Sequence, residues 1–282
     1  MLTYSIDFGT SNSLLAAADE SKIYPPLALD PSNTDPSIFR SLMFFPFSGP
    51  TVFGQAAIRE YVDSGGDGRF LRSIKKFLPL KTFTSTRIGN TSYSLEELIS
   101  RFLSEMKARA DENFNQDVTS VVLGRPARFS MVDEEDKLAQ GRLEKAAQMA
   151  GFKHIEFLEE PLAAAFALKS ELNKPQTVLI VDLGGGTSDF TVIRLGPDDH
   201  KKEDVLALGG ISVAGDALDG SIMTELVAPH FGSQMKYKLP MSDNVHTISK
   251  ELKYRLCSPA DITMLSRSDL MHYLKDTQKA SI

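Results

Sequence analysis

The chain has 282 residues, of which 42% are hydrophobic and 24% are charged. These values are typical of a soluble protein that can bury a sizeable core, and the length favours more than one domain. The formal net charge of −6 at pH 7 argues against general binding of nucleic acid or of an anionic membrane surface. The single cysteine, Cys257, cannot form an internal disulfide, which is consistent with a reducing compartment. No apolar run has the pattern of a secretory signal or the length of a membrane span, so we expect a cytoplasmic protein.

The first predicted element is a strand–turn–strand over residues 4–18, with Gly9 in its polar turn. Residues 25–92 contain many prolines, which predicts short strands and loops, with a helical piece near 55–61. A basic run within this stretch is interleaved with apolar residues, and we interpret most of it as a solvated face rather than a nucleic-acid patch. The run consists of Arg69, Arg72, Lys75, Lys76 and Lys81.

Two helices and a strand are predicted between residues 94 and 150. Ser94 and Glu97 have the spacing of a capping box, and apolar residues at helical spacing continue the helix to about residue 113. Residues 118–124 predict a buried strand. A second helix is expected over 133–150, because acidic residues open it and Gly151 follows its end.

A short strand at 155–158 leads into a third helix that starts near Pro161. Proline is favourable in the first turn of a helix, where its missing N–H removes no hydrogen bond. Glu160 therefore lies at a strand-to-helix junction. Two interpretations stay open on this ground alone: Glu160 is a catalytic group, or Glu159 and Glu160 only favour the helix dipole.

The segment Val181–Asp189 contains three successive glycines between two apolar runs, 177–181 and 190–195, which predicts a β-hairpin. Glycines let the backbone come close to a ligand and turn N–H groups towards an anion. Asp182 and Asp189 would repel phosphate unless a divalent cation lies between them. The stretch therefore predicts a metal–nucleotide site; the alternative is a flexible turn with solvated carboxylates.

The same pattern occurs near the start of the chain, where Asp7 and Thr10 correspond to Asp182 and Thr187. One recurrence at about a domain's distance suggests two similar lobes whose hairpins face each other across a cleft. After the second hairpin, the sequence predicts a strand at 205–211, a helix from about 215 to 229 and an amphipathic segment at 245–256. The alternation of strands and helices indicates an α/β protein.

Five segments resemble, in order, motifs of the ATPase domain of heat-shock protein 70 chaperones, within the actin–hexokinase–heat-shock superfamily. They are the first phosphate motif at 6–13, the catalytic-lysine segment at 74–78, the strand and proline turn at 121–127, the glutamate–proline–alanine connection at 159–165 and the second phosphate motif at 181–189. Gly124-Arg125-Pro126 replaces the commoner valine–proline form, which is similar to a divergent, chaperone-like branch of the family.

The resemblance implies an actin-like ATPase (ribonuclease H-like) fold of class α/β with two lobes. The first lobe would cover residues 1–175, with an inserted subdomain at about 25–116. The second lobe, 176–282, would be partial, with a core at about 176–219 and part of an inserted subdomain at about 220–282.

The resemblance also implies ATP or ADP and Mg²⁺ as cofactors, and nucleotide, client proteins and co-chaperones as partners. The implied catalytic residues are Lys75, Glu160, Asp182 and Thr187. The implied nucleotide-binding residues are Gly9, Thr10, Ser11, Asn12, Gly184, Gly185, Gly186 and Thr187. The implied Mg²⁺ residues are Asp7, Asp182 and Asp189, with the ion held largely through water.

The chain departs from the family towards its end. Residues 233–282 contain no glycine, so the glycine-rich motif that closes the family's adenine pocket is missing, and residues 250–255 are only a weak match to its adenosine-contacting helix. We expect a chaperone-like ATPase with little or no turnover in this chain, which is either a fragment or a shortened form. The alternatives are a non-catalytic interaction module that keeps the fold and a sugar-kinase-like phosphotransferase.

Overall fold

The computed structural model describes residues 1–169, 172–196, 204–211, 213–231, 233–234, 236–238, 243–248 and 278–279. The chain divides into two compact units, Met1–Ser212 and Val213–Ile282. The first unit is a mixed α/β structure, as the sequence predicts. The predicted lobe boundary after residue 175 and the two inserted subdomains stay predictions. Cys257 and residues 250–255 lie outside the described residues, as does most of the amphipathic segment.

The largest sheet of the first unit has six strands among the described residues: β1 (Thr3–Phe8), β2 (Asn12–Ala18), β3 (Ile23–Tyr24), β4 (Phe39–Arg40), β10 (Ser120–Arg125) and β11 (His154–Glu159). The strand order is β11-β10-β1-β2-β3, and β4 pairs with β2. β1 is antiparallel to β2 and parallel to β10. Because side chains alternate along a strand, Tyr4, Ile6 and Phe8 are buried in the core while Asp7 points to the opposite face.

Two helices cover the buried face of this sheet. α2 (Leu95–Phe114) begins at the predicted capping box, in which the Ser94 hydroxyl accepts from the Glu97 N–H and the Glu97 carboxylate accepts from the Ser94 N–H. The ring of Phe102 on α2 lies 5.6 Å from the ring of Phe8 on β1, so aromatic packing fixes the helix against the strand. α3 (Asp133–Met149) packs beside α2.

The proline-rich segment forms short elements, as predicted. β5 (Leu42–Pro46) pairs with β6 (Val52–Phe53) and β7 (Gly68–Arg72), and β8 (Thr86–Ile88) pairs with β9 (Thr91–Tyr93). α1 (Gln55–Asp63) packs on β5 around a small core of Leu42, Phe44 and Ala57. A 3₁₀-helical turn, Ile74–Phe77, follows β7.

A further sheet of the first unit is an antiparallel meander of β12 (Gln176–Leu183), β13 (Ser188–Leu195) and β14 (Val205–Ile211). α4 (Glu160–Lys169) has Pro161 in its first turn, as predicted. α4 covers one face of the meander through a core of Ala165, Ile180, Ile193 and Leu195.

The second unit contains α5 (Gly215–Ile222), followed by a π-helical turn (Met223–Val227) and a 3₁₀ turn (Ala228–Phe231). This helical run matches the helix predicted to end near residue 229. Three short strands also belong to this unit: β15 (Lys236–Lys238), β16 (Val245–Thr247) and β17 (Gln278–Lys279). No helix within the described parts of the chain is both long and apolar enough to cross a membrane.

Candidate active site

The first predicted phosphate turn connects β1 and β2 and has a tightly fixed backbone. A Cβ at Gly9 would lie 2.0 Å from the carbonyl oxygen of Asn12, so the turn requires glycine at this position. The Ser41 hydroxyl donates to the Gly9 carbonyl at 2.7 Å, and the Ser41 N–H donates to the Ser11 carbonyl at 2.9 Å. Ser41 thus supports the turn from behind. This role of Ser41 is not predictable from the sequence, because an isolated serine after a short strand carries no recognisable pattern.

The second predicted phosphate turn lies at the tip of the β12–β13 hairpin and contacts the first. The Gly184 N–H donates to the Thr187 carbonyl at 2.9 Å and closes the hairpin, with Gly185 and Gly186 between them. A Cβ at Gly186 would lie 2.7 Å from the Thr10 Oγ1 and 2.7 Å from the Lys76 Cε. Because glycine has no side chain, the two repeated hairpins meet at their turns.

Lys75 and Glu160 form a buried ion pair close to these turns. The Lys75 Nζ donates to the Glu160 Oε1 at 2.8 Å, and the two side chains are 10% and 18% exposed. Lys75 lies in the 3₁₀ turn that follows β7. The residue before this turn, Ser73, has a left-handed backbone conformation (φ 56°). Glu160 lies at the junction between β11 and α4, as predicted from its position directly before Pro161.

The basic run is therefore not the solvated face that the sequence suggested. Lys81 is exposed and pairs with Glu134 at 2.7 Å. Lys75 is buried, and the remaining three residues of the run are half-buried: Arg69, Arg72 and Lys76. The interpretation failed because the apolar residues of the run pack inward and draw the neighbouring cations with them.

The aspartates around the ion pair carry more negative charge than one lysine neutralises. The surrounding protein removes much of the water from Asp7, whose side chain still reaches solvent, and together with Glu160 and Asp182 this raises the pKa of Asp7 to about 6 against the opposing effect of Lys75. Burial, followed by the charge of Glu160, raises the pKa of Asp182. The site therefore favours either bound protons or a cation.

Asp189 is paired with Asp182 across the hairpin and is 2% exposed. Burial raises the pKa of Asp189, while a hydrogen bond from the Thr187 side chain lowers it. Its Oδ1 has no hydrogen-bond partner among the described residues. A Cβ at Gly210 on β14 would lie 2.8 Å from this oxygen, so a glycine there makes room for the carboxylate.

The ion pair lies between two cavities. Lys75 lines a cavity of about 490 Å³ together with Thr10, Gly186 and Thr187. Glu160 lines a second cavity of about 370 Å³, with Asp7 and Asp182. A Cβ at Gly124 would make ordinary van der Waals contacts with the Glu160 Cγ at 3.4 Å and the Asp7 Cα at 3.5 Å, so this glycine lies between the two acids.

The donor chemistry of the second cavity fits a hard cation held through water. No three His, Cys, Asp or Glu side chains in the described residues converge closely enough to hold a metal ion together. Asp7 and Asp182 nevertheless face one cavity with raised pKa values and uncompensated charge, and Mg²⁺ normally keeps several of its waters. Asp189 lines a different cavity, of about 270 Å³. Its part in metal binding stays a prediction.

Comparison with known proteins identifies the family of this chain. The family model described as Hsp70 protein matches residues 73–266, which is more than half of the chain. The chain belongs to the Hsp70 family. The mixed α/β structure is consistent with the actin-like ATPase fold of Hsp70 proteins, as the resemblance implied.

Curated relatives are similar over most of this chain. The chaperone protein DnaK of Mycoplasmopsis synoviae (strain 53) is 29% identical over 252 residues, which cover 88% of this chain and 38% of that protein. The chaperone protein HscA of Buchnera aphidicola subsp. Baizongia pistaciae (strain Bp) is 26% identical over 289 residues, which cover 96% of this chain and 54% of that protein. The chaperone protein DnaK of Metamycoplasma hominis is 30% identical over 227 residues, which cover 79% of this chain and 35% of that protein. The chain thus spans between about a third and about half of the length of these relatives.

Proposed function

We propose that this chain is the nucleotide-binding part of an ATP-dependent, Hsp70-like chaperone, whose site in the complete protein converts ATP to ADP and phosphate. The observation that supports this most is the buried Lys75–Glu160 pair, since Lys75 shares a cavity with Thr10 and Gly186 of the two turns. A buried ion pair is a weak contribution to stability on its own account. A pair beside two glycine turns is better explained by chemistry on an anion.

Phosphate binding falls to the two turns. Backbone N–H groups of Thr10, Ser11 and Gly184–Gly186 would hold the β and γ phosphates, because successive N–H groups form a concave anion site. Gly9 and Asn12 shape the first turn, which Ser41 supports through two hydrogen bonds. Gly186 of the second turn lies against Thr10 of the first, so both turns would face the same phosphate groups.

Lys75 and Glu160 would carry the chemistry. A phosphate near Lys75 competes with Glu160 for the ammonium group, because both are anions. Release of Glu160 from the pair leaves its carboxylate able to accept a hydrogen bond from water and to orient that water towards the γ phosphate. The ammonium group offsets charge that builds up during phosphoryl transfer, which proceeds mainly by positioning and electrostatics.

The aspartates would hold the metal. Asp7 and Asp182 would hold Mg²⁺ through its waters, and the chemistry that the ion would supply is neutralisation of phosphate charge. Asp189 would keep the second turn in place through its hydrogen bond from the Thr187 side chain. Because the pKa values of Asp7 and Asp182 are raised, a cation beside these two carboxyl groups would favour their ionised forms.

For the 282-residue chain by itself we propose weak binding and slow turnover, because residues 233–282 contain no glycine from which to build an adenine pocket. The complete protein would act on client proteins with co-chaperones in the cytoplasm. An interaction module that no longer hydrolyses ATP is the alternative. A sugar-kinase-like activity is less well supported, because the sequence pattern assigns no acid to the activation of a sugar hydroxyl and the Glu160–Pro161 connection favours the chaperone side.

Calorimetry tests the binding proposal. Mg-ATP is titrated into the 282-residue chain, into Asp182→Ala and into the exposed control Asp63→Ala. We expect weak binding that Asp182→Ala abolishes and Asp63→Ala leaves unchanged. Tight binding would contradict the proposal that this chain lacks an adenine pocket. Equal binding by Asp182→Ala would contradict the proposed metal role of Asp182.

Single-turnover hydrolysis of labelled ATP by excess protein tests the catalytic proposal. We expect Glu160→Gln and Lys75→Ala to lower the rate constant by about 100-fold or more, the usual effect of removing a catalytic group. Glu159→Gln, a change of the adjacent carboxylate, should have little effect. An unchanged rate in Glu160→Gln would favour the interaction module, and stimulation by a hexose would favour the phosphotransferase.

A further inference from the structure

Arg142, in the middle of α3, is surrounded by backbone carbonyls of the segment that follows Lys75. Its Nη1 donates to the carbonyls of Phe77, Leu78 and Leu80 at 3.3, 3.0 and 2.9 Å, and its Nη2 donates to the Phe83 carbonyl at 2.9 Å. The side chain is 12% exposed. One guanidinium group therefore satisfies four carbonyls within seven successive residues.

These hydrogen bonds matter because residues 78–83 belong to neither an α-helix nor a sheet. Within this segment the N–H groups of Leu80 and Phe83 donate to the carbonyls of Phe77 and Leu80 at 3.1 Å each, and Arg142 adds a second donor to both carbonyls. For the carbonyls of Leu78 and Phe83, Arg142 supplies a donor of the kind that buried carbonyls need. The charge of Arg142 is balanced by Glu96 on α2, whose Oε1 lies 3.7 Å from the Arg142 Nε and whose side chain is 17% exposed. Hydrogen bonds from a charged donor are also stronger than those between neutral groups.

The segment held by Arg142 is directly connected to Lys75. The Leu78 N–H donates to the Lys75 carbonyl at 3.1 Å, so a residue that Arg142 holds also closes the turn that carries the lysine. On the other side, the turn begins at Ser73, whose left-handed backbone leaves little freedom for adjustment. A shift of the carbonyls around Arg142 would move the Lys75 ammonium group away from Glu160.

We propose that Arg142 is a positioning residue that sets the distance between Lys75 and Glu160 without touching the ligand site. The catalytic consequence rests on the proposed function, whereas the geometric consequence does not. Lysine cannot replace Arg142, because an ammonium group lacks the planar fork that reaches carbonyls on several sides. Arg142 is thus predicted to matter for the site although it does not line the cavities beside the Lys75–Glu160 pair.

Acetylation of lysines in the native 282-residue chain, without nucleotide and followed by mass spectrometry, tests the geometric part. In the wild type, Lys75 should react slowly and the exposed Lys22 fast. In Arg142→Lys we expect the Lys75 rate to rise by about fivefold, because losing part of the carbonyl hydrogen bonding opens the segment locally. The Lys22 rate should not change.

The matched control is Arg109→Lys on α2. Arg109 also donates to a backbone carbonyl, that of Leu29 at 2.6 Å, and pairs with Glu105 at 2.7 Å. This variant should leave the Lys75 rate unchanged even where its melting temperature falls as much as that of Arg142→Lys. An equal rise in both variants would reduce Arg142 to a general stabilising role and overturn the proposal.

Two further measurements keep the proposal falsifiable. If Arg142→Lys does not fold, Glu96→Gln offers a milder perturbation of the same guanidinium group, and a Lys75 rate identical to wild type there would overturn the proposal. In single-turnover hydrolysis, Arg142→Lys should lower the rate constant by about tenfold and leave the half-saturating ATP concentration unchanged. This pattern is expected for a group that affects stabilisation of the transition state and not binding of ATP. Faster Lys75 acetylation with normal hydrolysis would instead refute the catalytic role of Lys75.

Discussion

Replacing Asp7 by Asn should stabilise the metal-free protein at neutral pH and weaken its function. The folded protein raises the pKa of Asp7 to about 6, against 3.8 in an ordinary environment. The folded form therefore keeps this proton to higher pH than the unfolded chain does. Stability contributed by the protonated carboxyl is present at low pH and is lost as the pH rises from about 4 to about 6.

The size of the effect follows from the pKa difference. A pKa difference of roughly two corresponds to about 3 kcal/mol, because each pH unit is equivalent to about 1.4 kcal/mol. The Asp7 side chain still reaches solvent, and solvent screening reduces the expected gain of Asp7→Asn to about 1–2 kcal/mol at pH 7.5. Towards pH 4 the gain should shrink to near zero, because the Asp7 carboxyl is then protonated in the folded wild type and increasingly protonated in its unfolded chain.

Urea unfolding between pH 4.5 and 7.5, with a chelator present, measures this difference. Asp19→Asn is a control of opposite sign, because the Ser21 hydroxyl and N–H donate to Asp19 and lower its pKa. That variant should lose stability at neutral pH. The reasoning is refuted if Asp7→Asn destabilises the protein at pH 7.5, or if its gain is the same at every pH.

Three further substitutions test the turns and the capping box. Gly9→Ala places a methyl group against the Asn12 carbonyl and should cost about 3 kcal/mol in urea unfolding; a cost below about 1 kcal/mol would mean that the turn adapts easily. Ser41→Ala removes the donor to the Gly9 carbonyl and should cost about 1–2 kcal/mol and weaken Mg-ATP binding in calorimetry. Ser94→Ala removes the cap of the Glu97 N–H and should cost about 1 kcal/mol without changing nucleotide binding.

Local features of this protein could be read from the sequence. The Ser94 capping box, the start of α4 at Pro161 and the glycine hairpin between β12 and β13 all depend on residues a few positions apart. Such signals act through backbone conformation and hydrogen bonds within one turn, so their residue types reveal them. The five ordered motifs also predicted the Hsp70 family, and the comparison with known proteins confirms this prediction.

The tertiary structure alone decided which distant residues meet. Lys75 and Glu160 are 85 positions apart, and composition and spacing led us to treat most of the basic run as solvated. The contact of Gly186 with Thr10 and the carbonyls around Arg142 have no sequence pattern either. Such contacts depend on how sheets and helices pack, which is a sum of many small apolar and hydrogen-bond terms over the chain. The sequence by itself thus determined the turns and the family, while packing decided which lysine is buried and what holds it in place.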